Sequence, residues 1–288
     1  MESHRVRFCA AARANLFGFA MVCGLWPMTL LGQFEVPAQR MPQAVFGGGA
    51  RQVTVVFRNR SDRDAEADIR IRILQASSGT VAPISQVPWK RLRILGGQTV
   101  LESATVTIPT VRAETRFVCQ WIEASGRVLG KTDLFVFPDG LLKGLKPLLA
   151  DGPIGVWEPE DRLIGLLKGA AIEVLDLQNS SLEDFRGRLA IIGPFSAHAQ
   201  IPPELSGRLK KLAQKGVSIV WLQPPDSPQK ETMLSAFQIY NAGPGTVLVS
   251  TADLTPDLSE NPRSQLQLVR LAETALSPQP KPFPFLPD

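Results

Sequence analysis

Histidine and cysteine, the side chains that most often bind transition metals or attack substrates, are scarce in this chain. Its 288 residues include two histidines and three cysteines. Only His198 and Cys119 lie outside the first 32 residues, so the rest of the chain cannot form an intrachain disulfide. One histidine and one cysteine also fall short of the four ligands that a structural zinc site needs. We therefore predict no bound metal, and we interpret Cys119 as a small core residue on a strand.

The sequence also lacks the usual patterns for binding phosphates or nucleic acids. Gly47-Gly48-Gly49 precedes a strand pattern and not a helix, so it does not match a phosphate-binding loop. No dense run of Lys and Arg with interleaved aromatic residues occurs. Residues 44–138 carry an excess of positive charge and residues 139–288 a small excess of negative charge. These features predict no cofactor and no nucleic-acid partner. The opposite charges favour either packing between two domains or binding of the first domain to an acidic surface.

The chain begins with a segment that has the features of an export signal. Arg5 and Arg7 give it a basic start, and Leu16–Leu31 follows without a charged residue. An uncleaved membrane anchor is the alternative, because a membrane helix needs roughly 17–25 residues. Pro27 disfavours that alternative, since proline removes a helical hydrogen bond. We predict that residues 1–32 are a signal peptide or an N-terminal anchor and that the protein is exported, periplasmic or extracellular. It touches the membrane only through this segment if the segment stays uncleaved.

Between residues 44 and 138, apolar and polar residues alternate with a period of two. Ile69, Ile71 and Ile73 share one face of the clearest strand, Ala67–Leu74. Turn residues separate it from other predicted strands at Gln52–Phe57, Trp89–Leu95, Thr99–Ile108, Thr115–Glu123 and Arg127–Phe137. Short alternating strands at this spacing are typical of antiparallel sheets packed face to face. The region resembles immunoglobulin-like modules, which implies an all-β immunoglobulin-like sandwich over residues 44–138.

After a linker at residues 139–153, strand and helix patterns alternate through residues 154–276. The predicted strands are Ile154–Trp157, Ile172–Leu175, Leu189–Ile192, Val217–Leu222 and Thr246–Val249. The predicted helices begin at Pro159 and at Pro202, and a closing helix covers Gln265–Leu276. This alternation predicts a mainly parallel sheet with helices on both faces, an α/β three-layer domain. Residues 277–288 are rich in proline and are predicted to form an extended tail.

The order of elements in this second part resembles a known fold. Leu182-Glu183-Asp184-Phe185 precedes the strand that ends at Gly193, and a helix that ends in glycine and another strand follow it. This order resembles the class I glutamine amidotransferase-like fold, which is flavodoxin-like. With the preceding immunoglobulin-like module, the chain is similar to accessory regions that lie beside catalytic barrels in some bacterial glycoside hydrolases.

The catalytic motif of the amidotransferase family is missing. The resemblance implies a cysteine nucleophile on a tight, glycine-flanked elbow after the strand Val217–Leu222. This chain has Gln223-Pro224-Pro225 there, with no nucleophile and no glycine. Ser196 and His198 could act as nucleophile and base only if their loop folded tightly, and no orienting acid accompanies them. We therefore predict no catalytic residue and no enzyme activity.

The ends of the strands in the predicted α/β domain could still bind a ligand without catalysing a reaction. Open α/β sheets bind ligands beyond the carboxyl ends of their strands. The candidate ligand-binding residues by this rule are Trp157, Ser196, His198 and Gln223. We interpret the acidic Glu158, Glu160 and Asp161 as charges at a helix start, where they interact favourably with the helix dipole.

These observations predict an exported, non-catalytic binding or assembly protein with a degenerate amidotransferase-like domain and a protein partner in the cell envelope. One alternative is a carbohydrate-linked accessory protein related to glycoside hydrolase modules, in which a glycan stacks on Trp89, Trp121 or Trp157. The other is a hydrolase with an atypical site near Ser196 and His198.

Overall fold

A computed structural model describes residues 34–77, 79–181, 184–195, 197, 200–222, 237–250, 254 and 258–277. Over these ranges the chain forms three sheets and few helices. This β-rich fold with several sheets agrees with the coarse prediction from the sequence. The predictions for residues 1–32, for the tail beyond residue 277 and for Ser196, His198 and Gln223 lie outside the described residues. No helix within the described ranges is long and apolar enough to cross a membrane.

The first half of the structure, here called the β region (residues 34–137), contains two sheets. Its strands are β1 (Phe34–Glu35), β2 (Gln43–Phe46), β3 (Gly49–Asn59), β4 (Ala65–Ala76), β5 (Val81–Ile94), β6 (Thr99–Ile108), β7 (Thr115–Glu123) and β8 (Val128–Phe137). One sheet has the order β1-β3-β6 and the other the order β2-β8-β7-β4-β5. Buried and exposed side chains alternate along β4, because each sheet has one face on the core.

The two sheets of the β region share one apolar core, and Trp121 of β7 lies at its centre. The ring of Trp121 makes edge contacts with Phe57, at 5.6 Å between ring centroids, and with Trp89, at 5.3 Å. Its Nε1 donates a hydrogen bond to Oγ1 of Thr132 at 3.0 Å. Because Trp121 is fully buried, a glycan cannot stack on it. Trp89 is half-buried, and its ring packs on Phe57 and under the ammonium group of Lys90.

Cys119 lies in the same core, as its sequence context predicts. Burial raises the pKa of its thiol from 9.0 to about 12, so the reactive thiolate is scarce at neutral pH. With Cys9 and Cys23 replaced by serine, we expect the native protein to leave Ellman's reagent unreacted at about pH 8. The same protein in denaturant should react as one thiol per chain. Rapid labelling of the native protein would show that Cys119 is accessible.

The second half, here called the α/β region (residues 141–277), is built on a six-stranded sheet. Its elements are a 3₁₀ turn (Leu141–Leu145), α1 (Lys146–Leu149), β9 (Ile154–Trp157), α2 (Arg162–Gly169), β10 (Val174–Asp176), β11 (Leu189–Ile192), α3 (Leu205–Gln214), β12 (Ser218–Leu222), β13 (Phe237–Ala242), β14 (Gly245–Ser250) and α4 (Pro262–Leu276). The strand order is β10-β9-β11-β12-β14-β13. Every pairing is parallel except that of β13 with β14.

Successive residues of the central strands contribute to two separate apolar clusters, because they point to opposite faces of the sheet. One cluster holds Val156 and Ile191 together with residues of α1, α2 and α4. The other holds Trp157 and Ile192 together with residues of α3. The segment predicted as a linker also enters the first cluster, through the buried side chains of Leu142, Leu145 and Leu149.

Several elements of the α/β region differ from the sequence prediction, among them α3, which begins at Leu205 and not at Pro202. Helix α2 begins at Arg162 and not at Pro159, since Asp161 has a left-handed backbone with φ of 52° and cannot continue a helix. Strand β10 begins at Val174, because the N–H of Ile172 donates back to the carbonyl of Leu167 at the end of α2. Strand β13 was not predicted, and it lies at the antiparallel edge of the sheet.

Helix α4 connects the two halves of the structure. Nη2 of Arg263 donates a hydrogen bond to the carbonyl of Pro42 at 3.1 Å. The guanidinium group of Arg263 also lies 5.9 Å from the centroid of the Phe135 ring in β8. A shallow cleft beside these contacts is lined by residues of β8 and α4. Arg263 of α4 therefore contacts both the residue that precedes β2 and a residue of β8.

Candidate functional site

The carboxyl ends of β9 and β11 lie where the strand order reverses. From β9 the chain passes through α2 to β10 on one side, and it then returns to β11 on the other side. Open α/β sheets bind ligands at such switch points. The N–H of Gly193, directly after β11, donates to the carbonyl of Trp157 at 2.7 Å. This hydrogen bond joins the ends of β9 and β11. A ligand at the switch point would therefore lie past the carboxyl ends of these two strands and not between them.

Glu158, the residue after β9, closes the N-terminus of α2. Its side chain is 1% exposed, and its two carboxylate oxygens accept hydrogen bonds from the amides of Leu163 at 2.9 Å and Ile164 at 2.6 Å. The first turn of a helix leaves these amides without intrahelical partners. Burial raises the pKa of the Glu158 carboxyl above its usual value, and the two amide hydrogen bonds oppose this shift. The structure thus places Glu158 at a helix start, as predicted, whereas Glu160 and Asp161 lie before the first turn of α2, which holds no acidic residue.

A cleft of about 440 Å³ lies beside α2 and the turn after β11. We call it the switch-point cleft, and it is lined by Arg162, Leu163, Gly165, Leu166, Pro194, Leu258 and Ser259. Its leucines and its proline make most of this lining apolar. Gly165 adds open space, because a Cβ atom at this position would have no neighbour within 4 Å. Nη2 of Arg162 is 2.8 Å from Oε2 of Glu160, so this cation of the lining already has a counter-charge.

Trp157 and Trp221 lie on the opposite face of the sheet from Leu163 and Leu258. Both tryptophans pair with Ile192, so the three side chains form one row on the face that α3 covers. Each indole Nε1 is buried and has no hydrogen-bond partner among the described residues. The guanidinium group of Arg208 in α3 lies 4.4 Å from the centroid of the Trp157 ring. Trp157 is 5% exposed, so it packs between the sheet and α3.

The structure therefore describes one of the predicted ligand-binding residues, Trp157, and places it away from the switch-point cleft. Ser196, His198 and Gln223 lie outside the described residues. Gly165 and Leu258 line the cleft but were not predicted from the sequence as parts of a site. An isolated glycine inside a helical pattern was the available signal for the first. In the part of the chain that the structure describes, no group of three or more His, Cys, Asp or Glu could hold a metal ion.

No family model matches this chain. No curated protein matches it either. Several solved structures are similar to part of it: the sporulation control protein Spo0M of Bacillus subtilis has 16% identity and a TM-score of 0.28, over 41% of this chain and 55% of that chain. The alkylpurine DNA glycosylase AlkC of Pseudomonas fluorescens, bound to DNA with an abasic site analog, has 12% identity and a TM-score of 0.28, over 36% and 30%.

A β-glucosidase of Listeria innocua in complex with glucose has 15% identity and a TM-score of 0.26, over 36% of this chain and 16% of that chain. This chain thus spans little more than half of Spo0M and smaller parts of the other two proteins. The TM-scores are too low for these similarities to carry an argument about fold or function.

Proposed function

We propose that this chain is an exported, non-catalytic binding or assembly protein. In this proposal residues 44–138 form an immunoglobulin-like β-sandwich, and residues 154–276 form a degenerate, flavodoxin-like amidotransferase domain of three layers. Two sheets around one core support the first assignment. The position of β9 between β10 and β11, with helices in the clusters on both faces, supports the second. The basic start and the uncharged run Leu16–Leu31 support export.

The buried carboxylate of Glu158 is the observation that carries the non-catalytic assignment. An acyl-transfer site needs free hydrogen-bond donors for the oxyanion that forms during the reaction. At the switch point the amides of Leu163 and Ile164 are bound to Glu158. A carboxylate at this place also disfavours a second negative charge nearby. The edge of the sheet consequently offers an apolar cleft for binding and no donor pair for an oxyanion at α2.

The described tryptophans give little support to the carbohydrate alternative. Sugar stacking needs an open aromatic face, whereas Trp121 is fully buried and Trp157 is covered by Arg208. Trp89 packs on Phe57. We therefore propose a protein of the cell envelope as the partner.

The test of the non-catalytic assignment is turnover by the purified chain. We expect hydrolysis of glutamine, of short-chain esters and of peptides to stay at the buffer rate, because Glu158 occupies the Leu163 and Ile164 amides that could otherwise stabilise an oxyanion at α2. Ser196→Ala and His198→Ala serve as the matched variants and should give the same rate as the wild type. Turnover above the buffer rate that either variant abolishes would refute the proposal. Turnover that is unchanged in both variants would indicate a contaminating enzyme. A second chromatography column would then separate the activity from the chain.

The partner is tested by purification of the tagged chain from cross-linked envelopes. We expect one protein to be recovered in a constant ratio to the chain, and the same tag on an unrelated exported protein should not recover it. Recovery of the chain alone, at cross-linking levels that capture a known envelope complex, would contradict the partner.

A further inference from the structure

We infer that the switch-point cleft binds a small, uncharged, apolar ligand and rejects anions. The inference goes beyond the proposed function, which assigns no small molecule to the chain. It rests on three properties of the cleft, namely its lining, the absence of a side chain at Gly165 and the occupied amides at the start of α2.

The size and the lining of the cleft suit a small apolar molecule. Its volume of about 440 Å³ falls within the range of small-molecule sites, which are mostly apolar with few polar groups. Leu163 and Leu166 lie on the same side of α2, since residues three apart are neighbours on a helix surface. Leu258 and Pro194 come from other parts of the chain and complete the apolar lining. The hydroxyl of Ser259 is the uncharged polar group among the lining side chains.

Gly165 keeps the cleft open. Glycine in the interior of a helix destabilises that helix relative to alanine. Nothing close to Gly165 requires a glycine, because a Cβ atom would meet no atom within 4 Å and the residue has an ordinary helical backbone. The missing side chain therefore does not serve packing. What it provides is free space along the exposed side of α2, between residues that line the cleft.

The charges around α2 decide against an anionic ligand. The N-terminus of a helix usually attracts anions through its free amides. Here Glu158 accepts the hydrogen bonds of the Leu163 and Ile164 amides, so a phosphate or carboxylate would have to displace a buried side chain of the same chain. The remaining cation, Arg162, is paired with Glu160. An anion at the start of α2 would therefore lie beside the Glu158 carboxylate and compete with it for the Leu163 and Ile164 amides, whereas an uncharged apolar ligand would not.

Two fluorescent probes with nearly the same rings test this inference. N-phenyl-1-naphthylamine is uncharged, and 8-anilinonaphthalene-1-sulfonate adds a sulfonate to the same ring system. We expect the full chain to bind the uncharged probe at least about tenfold more tightly than the sulfonate, a difference of about one decade in Kd. Equal or tighter binding of the sulfonate would overturn the rejection of anions.

Variants at two helical glycines locate the binding site. Gly165→Leu places a side chain in the cleft and should weaken binding of the uncharged probe by at least about tenfold. Gly207→Leu is the matched control, because Gly207 lies in α3 and its Cβ would also have no neighbour within 4 Å. It should change the affinity by less than about twofold. The apolar run Leu16–Leu31 is the same in all variants, so any probe that binds to it contributes equally to each of them. The differences in probe affinity between the variants therefore report on the cleft.

A second variant keeps the test decisive if Gly165→Leu does not fold, as judged by its circular dichroism and thermal melting. Leu166→Gln keeps a helix-forming residue at a half-buried position and should also weaken binding of the uncharged probe. Unchanged affinity in the folded cleft variants would overturn the inference. If the chain fails the probe tests but shows no turnover, the inference is overturned and the non-catalytic assignment stands. If the chain binds the probes as expected but shows turnover, only the non-catalytic assignment is refuted.

Discussion

Trp121→Ala should lower the free energy of unfolding by about 3–5 kcal/mol, the usual cost of deleting a buried large aromatic side chain. The ring of Trp121 is fully buried between Phe57 and Trp89, and its Nε1 binds the buried hydroxyl of Thr132. Alanine would leave a cavity at the centre of the core and a buried hydroxyl without its donor. Urea denaturation followed by far-UV circular dichroism measures the loss.

A loss of this size approaches the whole stability of many domains, about 5–15 kcal/mol, so a milder variant is needed as well. Trp121→Phe keeps an aromatic ring and should lose about 1–3 kcal/mol through the smaller volume and the missing hydrogen bond. Leu101→Ala is the control, since Leu101 is 72% exposed on β6, and it should change the stability by less than about 0.5 kcal/mol. Equal losses in Trp121→Phe and Leu101→Ala would show that Trp121 is not the centre of the core.

Glu158→Ala should cost about 2–4 kcal/mol at neutral pH. The variant leaves the amides of Leu163 and Ile164 buried without an acceptor, and each unpaired buried donor costs about 1–3 kcal/mol. The removal of a buried charge offsets part of this cost. Glu160→Ala is the matched control from the same loop, and loss of its exposed ion pair with Arg162 should cost less than about 1 kcal/mol. Similar losses in both variants would contradict the capping role of Glu158.

The pH dependence of the Glu158 contribution follows from the direction of its pKa shift. Burial raises the pKa of the folded-state carboxyl above its ordinary value of 4.5, so the unfolded state releases this proton first as the pH rises. The contribution of the Glu158 carboxyl to the free energy of unfolding is therefore complete below pH 4.5, and it is lost as the pH rises through the folded-state pKa. Glu158→Gln cannot titrate, so the stability advantage of the wild type over this variant should narrow from acidic to neutral pH. A widening advantage would mean that the folded-state pKa is lowered.

The strands of the β region could be predicted best, because burial on one face leaves a period of two in the sequence. Thr99–Ile108 and Thr115–Glu123 are predicted to the residue. Strand β5 begins at Val81, well before the predicted start at Trp89. The residues of β5 before Trp89 are mostly exposed and include Pro83 and Pro88, so they carry no burial pattern. Pairing with β4, a tertiary interaction, makes it a strand.

The candidate site could be predicted only in part, because its two components depend on different information. The role of Glu158 follows from local sequence, since a carboxylate just before a helix has free amides within reach. The switch-point cleft depends on Leu258 meeting α2, and no sequence pattern brings these segments together. The strand-end rule selected Trp157, but it does not tell which face of the sheet a side chain occupies. The structure places Trp157 under α3, away from the cleft.

The contacts of Arg263 have a consequence for biosynthesis. The ribosome makes Pro42 well before Arg263, because the two residues are 221 positions apart in the sequence. Domains begin to fold while the chain is still being made, N-terminal part first. Strands β2 and β8 can therefore pair before the helix that contacts them exists. A nascent chain that has not yet reached α4 leaves the Pro42 carbonyl without its Arg263 donor and the Phe135 ring without its guanidinium contact, so the β2–β8 pair completes these contacts only after α4 has been made.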